Sequence, residues 1–443
     1  MTAVEGPTAT GPMMQEATSV TTDVAPDAGR AADPLHLFQA TGVELEYMIV
    51  DVDTLDVRPV ADRLFALVGG EGASDADPDG EDGTIAWCNE LARHVVELKT
   101  ARPAPSLDGL AAAFQDQVGR IDGMLAPMGC RLMPGGMHPW MDPHVETQLW
   151  PHECGEIYRA YDRIFGCRGH GWGNLQSTHL NLPFHGTEEF GRLHAAIRLL
   201  LPLLPALAAS SPVADGRLAA HADQRMEVYR RNSMRVPLMA GEVVPEPVFT
   251  PEDYHREILG RLYDALAPLD PEGLLRHEWA NARGAIARFD RGAIEIRVLD
   301  IQECPAADLA IARLVVATVR ALVEERWAGF EEQCRIPTAP LAEVLKATIR
   351  DGETARLWHP ALLTALGGSG AVVRAGEVWS RLADELLPED DAASALARRI
   401  AAAGTLSSRL RAATGDAPDR ERLRDVWREL ADHLREGRPY RLD

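Results

Sequence analysis

Between residues 42 and 300 the chain carries short runs in which apolar and ionisable positions alternate, the period of a strand with one buried face. The apolar run Val43–Val50 reads as a buried strand, yet it holds Glu44 and Glu46 at i and i+2, on one face. His94–Thr100 reads as a second strand, with Glu97 among Val95, Val96 and Leu98. In a third, Ser177–Phe184, His179 and Asn181 share a face opposite Leu180, Leu182 and Phe184. Ala285–Asp290 and Ala293–Asp300 read as a hairpin turning at Arg291-Gly292, with Glu295 and Arg297 opposite Ile294, Ile296 and Val298. Further expected elements are a strand at 56–60 paired with 42–52, a helix near 60–68, and an acidic loop over 69–83. A helix over 107–126 capped by Ser106 follows, then a strand from 130 entering a Gly-Gly turn. Helices are expected over 153–165, over 187–209 with interruptions at Pro202 and Pro205, and over 251–267.

After Cys304-Pro305 the pattern changes to helices alone, over about 306–328, 340–351, 374–387, 391–403 and 419–436. Pro305 suits a first helical position and Asp308 complements the helix dipole. Hairpins and alternation before 304, with helices after it, predict an α+β fold: a mainly antiparallel sheet with helices packed on one face and a helical C-terminal part. The expected organisation is a disordered acidic leader over 1–34, a sheet domain over 35–304, and a helical region over 305–443 packed on the same domain.

Composition narrows the chemistry. The chain has 443 residues, 46% hydrophobic and 25% charged, which is ordinary for a globular protein. A formal charge of −22 argues against nucleic acid or an anionic membrane as partner. All but two of the 45 basic residues are arginine, the exceptions being Lys99 and Lys346. No Gly-x-x-x-x-Gly-Lys-[Ser/Thr] sequence and no His-Arg-Asp or Asp-Phe-Gly occurs, so phosphate would have to be handled by arginines and metal ions. Six cysteines without a Cys-x-x-Cys pair suit reduced thiols in the cytosol. With no signal peptide and no apolar stretch of about 18 residues, a cytoplasmic protein is expected. Asp75-x-Asp77-x-Asp79-Gly80 has Ala86 where a calcium loop needs a bidentate glutamate, and Pro78 inside it, so calcium is rejected there.

Each strand alone has an ordinary explanation as a solvated or salt-bridged face. Together they place carboxylates, one imidazole and an arginine on ionisable faces which, in a single sheet, would line an open surface while helices cover the apolar side. Like charges crowded on a sheet call for a cation between them, and oxygen donors with one imidazole favour magnesium or manganese over zinc. A metal-dependent hydrolase could use the same groups.

These segments resemble the glutamate–cysteine ligase family 2, also called the carboxylate–amine ligase family. The matching motifs are GVELE (42–46), NELARHVVELKT (89–100), MPGGMHP (133–139), THLNLPF (178–184), LAASSPVADG (207–216) with Arg225, and AIEIRVLD (293–300). The resemblance implies a glutamine-synthetase-like catalytic domain that uses ATP and Mg2+ (or Mn2+) to join a carboxylate to an amine through an acyl phosphate. Small-molecule acid and amine substrates are its implied partners, with glutamate and cysteine as the default pair. It implies Glu44, Glu46, Glu90, Glu97, His179 and Glu295 as metal ligands, Arg297 and Arg225 as catalytic groups, and Arg297 with Lys99 at the nucleotide. Substrates of a specialised pathway, or a non-catalytic nucleotide- or acid-binding homologue, are the alternatives. Oligomeric state stays open. Three stretches fit no pattern of the family: Glu278–Arg283 (EWANAR) with its following AIARFDR, His152–Glu156 (HECGE), and the glycine-rich CRGHGWGN at 167–174. Arg283 and Arg288 there suit either anion clamps or ion pairs.

Overall fold

The computed structural model describes residues 33–80 and 83–442. Most of the expected leader lies outside the described residues, as do Glu81 and Asp82 of the acidic loop. Eight strands form one antiparallel sheet: β1 (Gly42–Asp51), β2 (Asp75–Ala76), β3 (Ile85–Asn89), β4 (Val95–Thr100), β5 (Cys130–Met133), β6 (Ser177–Pro183), β9 (Ala285–Arg288) and β10 (Ala293–Asp300). Their order is β2-β3-β4-β1-β6-β10-β9. Along the edge opposite β4, β1 pairs first with β6 through Gly42–Leu45 and then with β5 through Met48–Asp51. Two small ribbons, β7 (Val213–Ala214) with β8 (Arg217–Leu218) and β11 (Arg356–Leu357) with β12 (Val373–Arg374), lie apart from it.

Alternation along β1 decides what each face meets. Val43, Leu45, Tyr47 and Ile49 enter the main core with Val96 and Leu98 of β4, Leu180 and Leu182 of β6, and Ile294 and Ile296 of β10. Helices α2 (Leu110–Leu125), α6 (Gly186–Leu200) and the helix Pro305–Val323 contribute to that core. The opposite face is divided. Its Glu44 and Glu46 end is ionisable, whereas Met48 and Val50 pack with Trp140, Leu406, Leu410, Trp427 and Leu430. The C-terminal helices Leu406–Thr414 and Arg420–Glu436 thus cover half of the face that bears the acids. The expected open surface is therefore a walled cavity.

Some expected elements differ. The stretch after residue 83 contains β3, where Ile85 and Trp87 enter the core while Ala86 and Cys88 take the other face; five residues beside an acid-rich loop hid that alternation. In place of a strand at 56–60 a single bridge joins Val57 to Val50, followed by α1 (Ala61–Gly69). Pro202 and Pro205 reshape the long apolar helix into α6, a 3-10 turn and α7 (Pro205–Ala208). Residues 251–266 are helical through a π segment, His255–Gly260. Short helices at Phe330–Cys334, Pro360–Ala365 and Leu406–Thr414 were not expected.

Candidate active site

Strand register brings together acids that are far apart in the chain. Glu46 of β1 faces Glu97 of β4, which faces Cys88 of β3. One pair along, Lys99 faces Glu44, which faces His179 of β6. Asn181 of β6 faces Glu295 of β10. Donor atoms of Glu44, Glu97 and His179 lie within 4.8 Å of one another, and so do those of Glu46, Glu90 and Glu97. Glu90 comes from the turn between β3 and β4.

One hydrogen-bonded chain runs through this floor. His179 Nδ1 lies 2.8 Å from Glu44 Oε2 and its Nε2 2.9 Å from Ser177 Oγ. The Ser177 hydroxyl and backbone N–H both donate to Glu46 Oε2, at 3.0 and 2.6 Å. Burial disfavours a charged His179, but the Glu44 hydrogen bond and the charges of Glu46, Glu44 and Glu295 raise its pKa to about 9. Without metal an imidazolium therefore supplies the positive charge between the carboxylates, and His179 must give up that proton to ligate an ion. Burial works against ionised Glu44 too, and His179 with Lys99 holds its pKa low. Glu97 and Glu90 go the other way. Burial, then the charges of Glu44 and Glu46, lift Glu97 to about 7, while burial with Glu46 and Glu97 raises Glu90 well above the carboxylate range. The Cys88 thiol donates to Glu97 Oε1 at 2.7 Å.

Arginines border this floor. Arg297 sits where β10 gains one residue against β6, a bulge of the kind that re-aims a side chain, and it pairs with Glu295 at 2.7 Å. Arg288 reaches Asp290 at 3.0 Å and lies 3.8 Å from Glu295. Arg225, from α8 (Gln224–Asn232), lines the cavity with its guanidinium bound to Asp300 at 3.2 Å and to the Arg297 carbonyl at 3.0 Å. Asp300 also accepts from Ser210 N–H and the Ser211 hydroxyl. The MPGG turn makes room for it, since a Cβ on Gly136 would stand 2.6 Å from that carboxylate. Arg283 is bound instead by Glu246, both contacts 2.6 Å, away from the cavity lining.

The floor bounds a cavity of about 240 Å³. Its wall comes from α4 (Gly155–Phe165) through Tyr158 and Tyr161, from α5 (His170–Gly173) through Trp172, from α8 through Tyr229, and from the 3-10 turn Glu278–Ala280 through Trp279. A second cavity, about 300 Å³, adjoins it at Glu44 and holds Lys99, Arg291, Asn181, Asp75 and Asp77. Burial disfavours the Lys99 ammonium, but Cys88, Glu97 and Glu44 more than offset this and raise its pKa.

The nine residues that the family resemblance implies for the site line one or both cavities: the six proposed ligands, Arg225 and Arg297 in the first, Lys99 in the second. Of the two arginines named as anion clamps or ion pairs, Arg288 lines the first cavity and Arg283 does not, while Cys88, Ser177 and the aromatic wall were missed. Cys88 and Ser177 occupy floor positions readable from register once β3 is recognised; the wall residues carry no such periodic signal.

An antiparallel sheet with these helices is a fold shared with solved structures of two named enzymes. It superposes on a glutamate–cysteine ligase from Francisella tularensis, solved in complex with AMP, at a TM-score of 0.55 and 14% identity, covering 91% of this chain and 89% of that one. A bifunctional glutathione synthetase from Pasteurella multocida gives 0.50 and 15%, over 90% of this chain and 52% of that one. The chain belongs to the glutamate-cysteine ligase family 2, whose sequence model matches residues 40–429. An uncharacterized protein of Archaeoglobus fulgidus is 35% identical over 70% of this chain and 80% of its own. A Nocardioides protein carrying the name "Putative glutamate--cysteine ligase 2-1" is 30% identical over 72% of this chain and 77% of its own. No helix among the described residues is long and apolar enough to cross a membrane.

Proposed function

We propose that the protein is an ATP- and magnesium-dependent ligase that forms an amide between a carboxylate, taken as the γ-carboxylate of glutamate, and an amine. The observation that carries this reading is the gathering of Glu44, Glu46, Glu97, His179 and Glu295 on one sheet face, with Glu90 from the adjoining turn, around two donor triads. The donor set fits hard divalent ions: carboxylate oxygens with one imidazole, buried, and crowded enough that Glu97 and Glu90 bind protons unless a cation replaces them. Glu44, Glu97 and His179 would hold one ion, Glu46, Glu90 and Glu97 another, with Glu295 alongside. When bound, such ions neutralise charge on the transferring phosphoryl group.

The two cavities meeting at Glu44 suggest a division of labour. Lys99 and Arg291 suit the second cavity to a polyphosphate approaching the acids from one side. The first cavity suits the acid and the amine, with Arg297 and Arg288 as anion-binding groups beside Glu295. The γ-phosphoryl of ATP passes to the carboxylate, the amine nitrogen attacks the acyl carbon, and phosphate departs. The aromatic wall excludes water, which would otherwise hydrolyse the acyl phosphate. Family membership supports a ligase, and the AMP-bound fold neighbour supports a nucleotide.

The decisive experiment measures ADP release with purified protein, magnesium, ATP, glutamate and an amine panel. ADP appearing only when acid, amine and metal are all present is expected; product release without ATP would convert the reading to a hydrolase.

A further inference from the structure

Two of the three sequence stretches that fit no pattern of the family meet at one place. CRGHGWGN supplies Trp172 and EWANAR supplies Trp279, and both rings stand around Tyr161, with centroids 5.2 and 6.0 Å from it. This cluster forms part of the cavity wall above the carboxylate floor. The position of Trp172 is built in. Its indole N–H donates to the Asn232 carbonyl at 3.2 Å, and it stacks on Phe165 at 5.5 Å. Flanking glycines let α5 press against its neighbours: a Cβ on Gly171 would meet Asn232 at 2.7 Å, and one on Gly173 would meet the Thr147 hydroxyl at 2.2 Å.

We infer that the amine substrate carries an aromatic ring that packs against Trp172 and Trp279. The inference rests on the ligase reading and names the substrate class for the same site. Aromatic rings favour a flat apolar partner in offset or edge-on contact, and a –CH2–SH side chain has no ring to offer them. Arg225, Arg288, Arg291 and Arg297 line the same cavity together with the carboxylates of the floor, and a neutral aromatic group asks for no counter-charge from either set. The acid is the anion those arginines suit; the ring wall is left for the amine. Chemically the step is unchanged: the amine lone pair attacks the acyl carbon, the C–O bond to phosphate breaks, and the nitrogen loses its proton to solvent.

The test measures ADP release by the full chain with ATP, magnesium and glutamate or another short acidic amino acid. Phenylalanine, tyrosine, tryptophan and 2-phenylethylamine are compared with cysteine and alanine. A ring-bearing amine should exceed cysteine at least tenfold in kcat/KM. Trp172→Leu and Trp279→Leu should each raise its KM fivefold or more, a larger rise than either variant causes for the small amines. Equal or better use of cysteine or alanine by the unmodified protein overturns the inference and leaves the ligase reading standing. So does a variant that weakens large and small amines alike. No ADP with any acid–amine pair overturns the ligase reading itself. The ranking on the unmodified protein decides the matter even where a variant fails to fold.

Discussion

The carboxylate floor and the aromatic wall enclose one cavity and are built by opposite means. Floor residues stand on β1, β4, β6 and β10, where backbone ladders fix them; burial and then one another's charge pull their pKa values apart. Wall residues stand on a four-residue helix, a 3-10 turn and two helices, and are held by ring contacts and close glycine packing. A sheet can present a rigid charge array, which suits chemistry that must not vary. Short elements joined by glycines can be re-cut without disturbing that array, which suits the choice of substrate.

The largest expected effect comes from the floor. Glu46→Gln or Glu97→Gln should lower turnover by about 10³-fold or more, the scale expected when a group organising the transition-state charge is lost. Thermal unfolding of the metal-free protein should stay level or rise, because one member of a crowded set of carboxylates becomes neutral. Activity retained by both variants would remove these residues from the site.

Next is the joint between the two regions. Arg225 stands on α8, a wall helix, and binds Asp300 and the Arg297 carbonyl on the floor strand β10. Arg225→Met leaves a buried carboxylate without its cation and should cost about 3–5 kcal/mol in urea unfolding. Adding Asp300→Asn should recover part of that loss, so the double variant is less damaged than the sum of the two singles. Strict additivity would show that the pair does not tie the regions together.

The same contrast explains what the sequence reveals. Period-two alternation exposes Glu44, Glu46, Glu97, His179, Glu295 and Arg297 one strand at a time, and an antiparallel sheet leaves their faces little freedom to diverge. Even there β3 escapes, because five residues beside an acidic loop give too few alternations to distinguish strand from turn. Covering of the ionisable face also escapes: Met48 and Val50 continue β1's polar face as apolar positions, and what they meet lies more than 350 residues away at Leu406 and Trp427. Trp172 and Trp279 have no periodic context. Their meeting depends on how α4, α5 and α8 pack, and a glycine-rich octapeptide gives no local clue to that.

A smaller effect is expected from the wall. Gly173→Ala sets a methyl group against the Thr147 side chain, which must yield or push α5 outward. Overpacking of this kind costs about 1–3 kcal/mol. The KM for the amine should rise several-fold while kcat changes little, since the floor is untouched. Combining it with Thr147→Ala removes the obstructing hydroxyl and should restore both stability and KM. A fall in kcat with KM unchanged would instead couple the wall to the chemistry.

The smallest effect separates the two regions by pH. His94 lies beside the Gly173 backbone beneath the wall, and His194 stacks on Phe190 in the core below the floor, ring centroids 5.4 Å apart. Burial lowers their pKa values from 6.5 to about 4 and about 3. Each is therefore neutral in the folded protein while its unfolded counterpart takes up a proton below pH 6.5. Stability from this source is complete above that pH and is lost as pH falls through 6.5 toward 4 and then 3. At pH 5 each histidine should account for about 2 kcal/mol of the loss. Because raised groups such as Glu97 gain stability over the same range, the effect is read as a difference: between pH 7 and 5, urea unfolding of His94→Gln and of His194→Gln should each gain about 2 kcal/mol relative to the unmodified protein. If only His194→Gln shows this gain, the wall opens before the sheet unfolds, and at acidic pH the enclosed cavity consists of the floor alone.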